Sequence, residues 1–291
     1  MNGGGSAGLL GKNNATVTNA SPNGVITTKK EKSEGIYAEN SLPLNEGKIT
    51  VEGKESAGIF TKNTDAVSRD IINSGTIELI GGAGLMQSAG MYAEIGGSAT
   101  GITTLENKKS ILVGQEKSAG IYIKNFADIS KGIAKNTGHP NGVIDLNAGE
   151  TVGILVDNAT GINESVINVN KGSSAGMFGN NGSEITNKKN INVSHENSAG
   201  MYTVNSNATN TVNGVITITG STGAATGSAG MFGKYSDAGN YTLENSGNIS
   251  ISSASSSDSQ SIGMYGQLEN TATGTATLTN SKTVNVDMEN S

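Results

Sequence analysis

The stretch SAGIYIKN at residues 118–125 decides the fold, because close variants of it return along the whole chain. SAGLLGKN (6–13), SEGIYAEN (33–40), SAGIFTKN (56–63) and SAGMYAEI (88–95) precede it. TVGILVDN (151–158), SAGMFGNN (174–181), SAGMYTVN (198–205), SAGMFGKY (228–235) and SIGMYGQL (261–268) follow. The motif glycines are Gly8, Gly35, Gly58, Gly90, Gly120, Gly153, Gly176, Gly200, Gly230 and Gly263, separated by 23 to 33 residues. Two helices packed along their length tolerate such variation poorly. A stacked β-coil tolerates it well, since extra residues leave at a corner as a loop.

Between successive copies lies an apolar–polar–apolar triplet. Ile49-Thr50-Val51, Ile77-Glu78-Leu79, Ile111-Leu112-Val113, Ile167-Asn168-Val169 and Ile191-Asn192-Val193 are examples. A period of two marks a strand with one buried face. A weaker strand precedes it in five places: DIINSG (70–75), TLENKK (104–109), EITNKK (184–189), TLENSG (242–247) and TLTNSK (277–282). Each holds an Ile or Leu six residues before the triplet and a shared Asn, which suits an αL turn and can hydrogen-bond its own stack. Three short strands per turn and a shortest turn of 23 residues describe a single-stranded parallel β-helix of about ten coils. Residues 1–291 then form one continuous β-solenoid segment. Coils stacked about 4.8 Å apart would make a rod roughly 45–50 Å long.

Composition agrees. Hydrophobic residues are 34% of the chain, low for a globular core, yet charge is only 15% and Ile, Val and Thr recur in pattern. Disorder would bring high charge and few β-branched residues; a repeat protein needs only a thin apolar strip per coil. The net charge of −6 argues against a nucleic-acid surface. The absence of Cys removes disulfides and thiolate metal sites. No apolar run approaches a membrane span, so no membrane insertion by this segment is expected. No secretory leader follows Met1, and the sequence reads as one piece of a longer chain.

Strict alternation within the first motif would place positions two, four and six inside and three, five and seven outside. Position five then forms an outward column that holds eight of the eleven aromatics, including Tyr37, Phe60, Tyr92 and Tyr122 on consecutive coils. A bulge could turn it inward. Position seven gives Lys12, Glu39, Lys62, Glu94, Lys124 and Asp157, alternating in sign for six coils.

Catalysis is not expected. A polysaccharide lyase or hydrolase on this fold needs acids on neighbouring coils with a basic residue close by. Glu78 and Asp145 are not on adjacent coils, and Arg69, the one arginine, faces no acid column. His139 and His195 read as turn residues without a metal-ligand spacing. No catalytic, cofactor-binding or metal-binding residue is therefore assigned.

Repeats of SAGIYxxN broken by NxGxIxV resemble the passenger of the very large fusobacterial type V (monomeric) autotransporter adhesins. The resemblance runs from Ser6 to Val286. It implies a right-handed β-helical rod held at the cell surface by an outer-membrane barrel absent from this chain. It further implies virulence-linked attachment to a host-cell receptor or glycan, or to another bacterium, by a monomeric rod. A structural stalk, with adhesion elsewhere, is the alternative. Besides the aromatic column, loops at 79–88, 219–228 and 252–260 lengthen one corner, and 126–140 leaves another. Thr222, Ser256 and Asp258 on two of these loops join Tyr37, Phe60, Tyr92 and Tyr122 as candidate partner-binding residues, since loops on rigid scaffolds often carry recognition.

Overall fold

The computed structural model describes residues 5–82, 84, 86–220, 227–253, 261–269 and 272–287. The chain forms three parallel sheets of ten strands each, and every sheet takes its strands in sequence order. One coil is Ala89–Ile95, Thr103–Asn107 and Ser110–Val113, each strand paired with its counterparts one coil before and after. This is a parallel β-helix of ten coils, consistent with the right-handed winding that parallel crossovers take. Helix among the described residues amounts to one 3₁₀ turn, Ile129–Lys131.

The interior is a single apolar strip. Position four of the motif (Ile36, Ile59, Met91, Ile121, Ile154, Met177, Met201, Met231) meets the two apolar positions of the third sheet, all buried. Stacking coils removes these side chains from water, which no isolated coil could do.

The second sheet exists in all ten coils rather than five. Thr16–Asn19, Leu42–Asn45, Gly132–Asn136, Thr160–Asn163 and Asn207–Asn210 complete it. Their inward residues are Val17, Pro43, Ala134, Gly161 and Ala208; the last four are too small or atypical to give an apolar signal, and Val17 stands nine rather than six residues before Ile26. The segment 126–140 is accordingly not a simple insertion. Its extra part is the turn around Ile129–Lys131, whose first turn Asp128 caps by accepting the Ser130 N–H at 2.9 Å; residues 132–136 are regular strand.

The shared Asn is the most regular feature of this sheet. Each Nδ2 of Asn19, Asn45, Asn73, Asn107, Asn136, Asn163, Asn187, Asn210 and Asn245 donates to the Oδ1 of the Asn one coil on, Asn280 closing the series, at 2.7–3.0 Å. The ladder is the expected stack, but none of these residues is left-handed. The αL residues lie at other corners.

Position two of the first motif corrects the alternation. Pairing joins Ala89 to Ala119 and Met91 to Ile121 and passes over the glycines between. Gly90 faces inward together with Met91: a Cβ there would stand 2.7 Å from Ile111 Cγ2 and from the Gly120 carbonyl. Two consecutive inward residues leave the Ala column outside, beside the aromatics. The glycine is required because the third sheet passes too close for any side chain.

The charge column keeps the register read from sequence, Lys12↔Glu39↔Lys62↔Glu94↔Lys124↔Asp157. Ion pairs close at Lys12–Glu39 (3.4 Å) and Lys62–Glu94 (3.6 Å). Such exposed pairs are worth about 0.2–1 kcal/mol each.

The Asn ladder gives a graded expectation. Asn107→Ala strands the buried Nδ2 of Asn73 and the Oδ1 of Asn136 and should cost about 2–4 kcal/mol. Asn280→Ala, at the exposed end, should cost under about 1 kcal/mol. Denaturant unfolding of the two variants checks the difference.

Candidate functional site

A groove runs along the rod beside the aromatic column, and three columns of side chains build it. Its floor is position two: Ala89, Ala119, Val152, Ala175, Ala199 and Ala229. One wall is position five, the rings. The other wall is the residue just before each motif, at a left-handed corner: Lys32, Glu55, Gln87, Lys117, Glu150, Ser173, Asn197 and Gly227, with φ between 51° and 69°.

The serine that opens the motif fixes this corner. The backbone N–H of Ser33, Ser56, Ser88, Thr151, Ser174, Ser198 and Ser228 donates to the hydroxyl of the residue stacked one coil on, at 3.0–3.3 Å. Glycine would enter αL at least cost. Seven of the eight corner positions nevertheless carry side chains, and these stand over the groove.

The rings face outward, as the sequence pattern indicates. They lie in a cluster with Ala57 and Ala89 that is separate from the rod core. Outward does not mean exposed. Phe60 is 4% and Tyr92 3% accessible, while Tyr37 and Tyr122 are half-buried. Neighbouring rings cover one another: Tyr37–Phe60, Phe60–Tyr92 and Tyr92–Tyr122 have centroids 5.2, 5.1 and 4.9 Å apart. Glu55, Gln87, Lys117 and Lys124 stand along the groove beside Tyr92 and Tyr122. Burial raises the Tyr122 hydroxyl pKa to about 12, helped by the negative charges of Asp157 and Glu94. Tyr92 is raised for the same leading reason.

A second stack joins Phe178, Tyr202, Phe232 and Tyr265, with centroids 4.9–5.3 Å apart. Here the corner wall shortens to Ser173, Asn197 and Gly227, and the charge column to Asn180 and Val204 before Lys234, paired with Glu269, restores a long side chain beside Phe232. The groove opens into a cavity of about 670 Å³ lined by Phe178, Tyr202, Phe232 and the Ala floor. A neighbouring cavity of about 460 Å³ continues it past Leu155 to Tyr92. The second ring set and the cavity beside it lie outside the four candidates taken from the first coils. Side-chain length along the two flanking columns is the sequence signal that separates the stacks.

Of the sequence candidates, Tyr37, Phe60, Tyr92 and Tyr122 therefore come together as one stack. Thr222, Ser256 and Asp258 lie outside the described residues.

Other chemistry-bearing groups are engaged structurally. Arg69 is buried, and its guanidinium donates to both Asp65 carboxylate oxygens (2.6 and 2.8 Å), the Val67 and Asn40 carbonyls and Asn14 Oδ1. It clamps the first three coils, and its hydrogen bonds hold the Asp65 pKa low. His195 Nδ1 lies 3.4 Å from Glu196. Among the described residues, no three His, Asp or Glu side chains gather around a point that could hold a metal ion. No helix there is long and apolar enough to cross a membrane.

No family model, curated protein or solved structure matches the chain.

The two ends of the column should respond differently to truncation. Tyr92→Ser removes a ring buried on both faces and should cost about 3 kcal/mol or more. Tyr265→Ser, at a residue 40% exposed and stacked on one side only, should cost about 1 kcal/mol. Thermal or denaturant midpoints of the two variants measure this.

Proposed function

We propose that this chain is a recognition-bearing segment of a surface-displayed adhesin rod, of the type V autotransporter passenger kind that its repeats resemble. In this reading the segment stands outside the outer membrane and attaches to a host-cell receptor, a glycan or another bacterium, with no catalytic step. The observation that supports it is the open groove over Phe178, Tyr202 and Phe232. A largely apolar channel rimmed by Ser173 and Asn197, with Glu150 at one end, on a stiff rod, is a surface suited to contact.

One observation favours the spacer reading for the first coils. Phe60 and Tyr92 are nearly inaccessible, so these two rings serve the ladder and offer little to a partner. Recognition and scaffolding thus divide along the same column, with contact assigned to the coils whose walls are short.

Ala199→Lys tests the reading. The side chain at this floor position fills the groove and leaves both ring stacks intact. The folded variant should lose attachment of the purified chain to epithelial cells and to any hits on a glycan array, while circular dichroism and thermal midpoint stay near those of the parent. Attachment equal to the parent's, or none by either protein, would favour the spacer.

A further inference from the structure

The aromatic column has a vacancy. Eight coils place a ring at position five in the two stacks, but between them the sixth coil places Leu155, in register with Tyr122 on one side and Phe178 on the other. Ring stacking stops at Tyr122 and resumes at Phe178. Those two rings are two coils apart, roughly 10 Å, and a leucine is shorter than a ring. The outer parts of both ring faces therefore look into a notch above Leu155. The notch is one end of the cavity of about 460 Å³ that runs on to Tyr92, and Tyr122, Leu155, Phe178, Val152, Lys117 and Lys124 line that end.

We propose that this notch takes an aromatic side chain of a polypeptide partner, which completes the stack. The rest of the column shows what fits: one flat ring per coil, at centroid spacings of 4.9–5.3 Å. Within each stack the ring faces are covered by their neighbours. Here alone between the stacks can a guest gain two face contacts at once, the offset arrangement that aromatic pairs favour. The inner end of the notch is Leu155 and Val152, which meets the edge of an arene without loss. A pyranose seated equally deep would press hydroxyls against those apolar groups and leave them unpaired. The rim carries both signs. Lys117 and Glu150 pair at 3.8 Å, and Lys124 stands on the opposite side, so a peptide backbone or a charged flanking residue of either sign finds a counterpart. A ring anchored in a pocket with polar surroundings is the usual form of an energetic centre in protein contacts.

The inference deepens the adhesin reading by naming one contact, and its test needs no cell. N-acetyl-L-tyrosinamide and N-acetyl-L-phenylalaninamide are titrated into the full chain by saturation-transfer NMR, with methyl glucopyranoside in parallel. Both amides should bind with Kd of about 1–10 mM, as befits a single ring, and the glycoside should not. Leu155→Tyr supplies the missing ring from within. It should weaken amide binding at least tenfold and raise the thermal midpoint by about 2–4 °C. Amides that fail to bind, or that bind Leu155→Tyr as well as the parent, would overturn the proposal. Binding of the glycoside in their place would assign the notch to sugars instead. A lowered midpoint for Leu155→Tyr would show that no ring-sized vacancy exists. Failure here would leave the groove reading to be judged by the attachment of Ala199→Lys.

Discussion

Every regular feature of this protein follows from one constraint: each residue of a coil must hydrogen-bond to, or pack upon, its counterpart about 4.8 Å away. The buried asparagines state it most plainly. An amide side chain deep in a β-rod is tolerated only if its donor and acceptor are met, and here the next coil's identical amide meets them. Any residue but Asn at one level would orphan the levels on both sides. Identity along the column is therefore enforced by chemistry, as it is for the serine hydroxyls that accept the N–H of the coil before. The outward position of the third sheet varies more freely, because it is solvated; of its described residues only Asp145, Asn168 and Asn192 link in series, Asn192 donating to Asn168 and Asn168 to Asp145.

The same constraint shapes the outer face. A stack of rings is the cheapest way to repeat an aromatic, yet it hides the faces that would contact a partner. Exposure is then set by what flanks the stack. The rings of coils three and four, Phe60 and Tyr92, are buried between ring neighbours beside long Glu, Gln and Lys side chains, whereas those of coils seven to nine, beside Ser, Asn and Gly corners, are only half-buried. The left-handed corners matter for this reason. Placing Glu55, Gln87, Lys117 and Glu150 where glycine would be least strained raises a wall, and Gly227 lowers it.

The sequence carried most of the fold because ladders demand like upon like. Ten SAGIY copies and ten triplets gave two sheets and their register. The second sheet was legible only where Ile71, Leu105, Ile185, Leu243 and Leu278 marked it, since Ala, Gly and Pro fill the same inward place in four other coils and Val17 in the first stands at a different spacing from its triplet. An Asn four residues before the triplet, as at Asn45 and Asn163, would have revealed two more of its strands. The outward direction of Tyr37, Phe60, Tyr92 and Tyr122 was legible, but not their burial, which depends on side chains arriving from two other columns. The position of the Ala column was not legible either. A period of two has no means of announcing that Gly90 and Met91 both face inward; the signal was the invariant glycine itself, which only a close approach explains.

The ladder is open to direct observation through exchange of the asparagine side-chain amides, measured by NMR in deuterated water. Stacked, buried Nδ2 groups should exchange far more slowly than free amides, with the slowest rates at Asn73, Asn107, Asn136, Asn163 and Asn187 and faster rates toward Asn280. Uniformly rapid exchange at all ten positions would contradict the account, because coils in this register cannot stack without those hydrogen bonds.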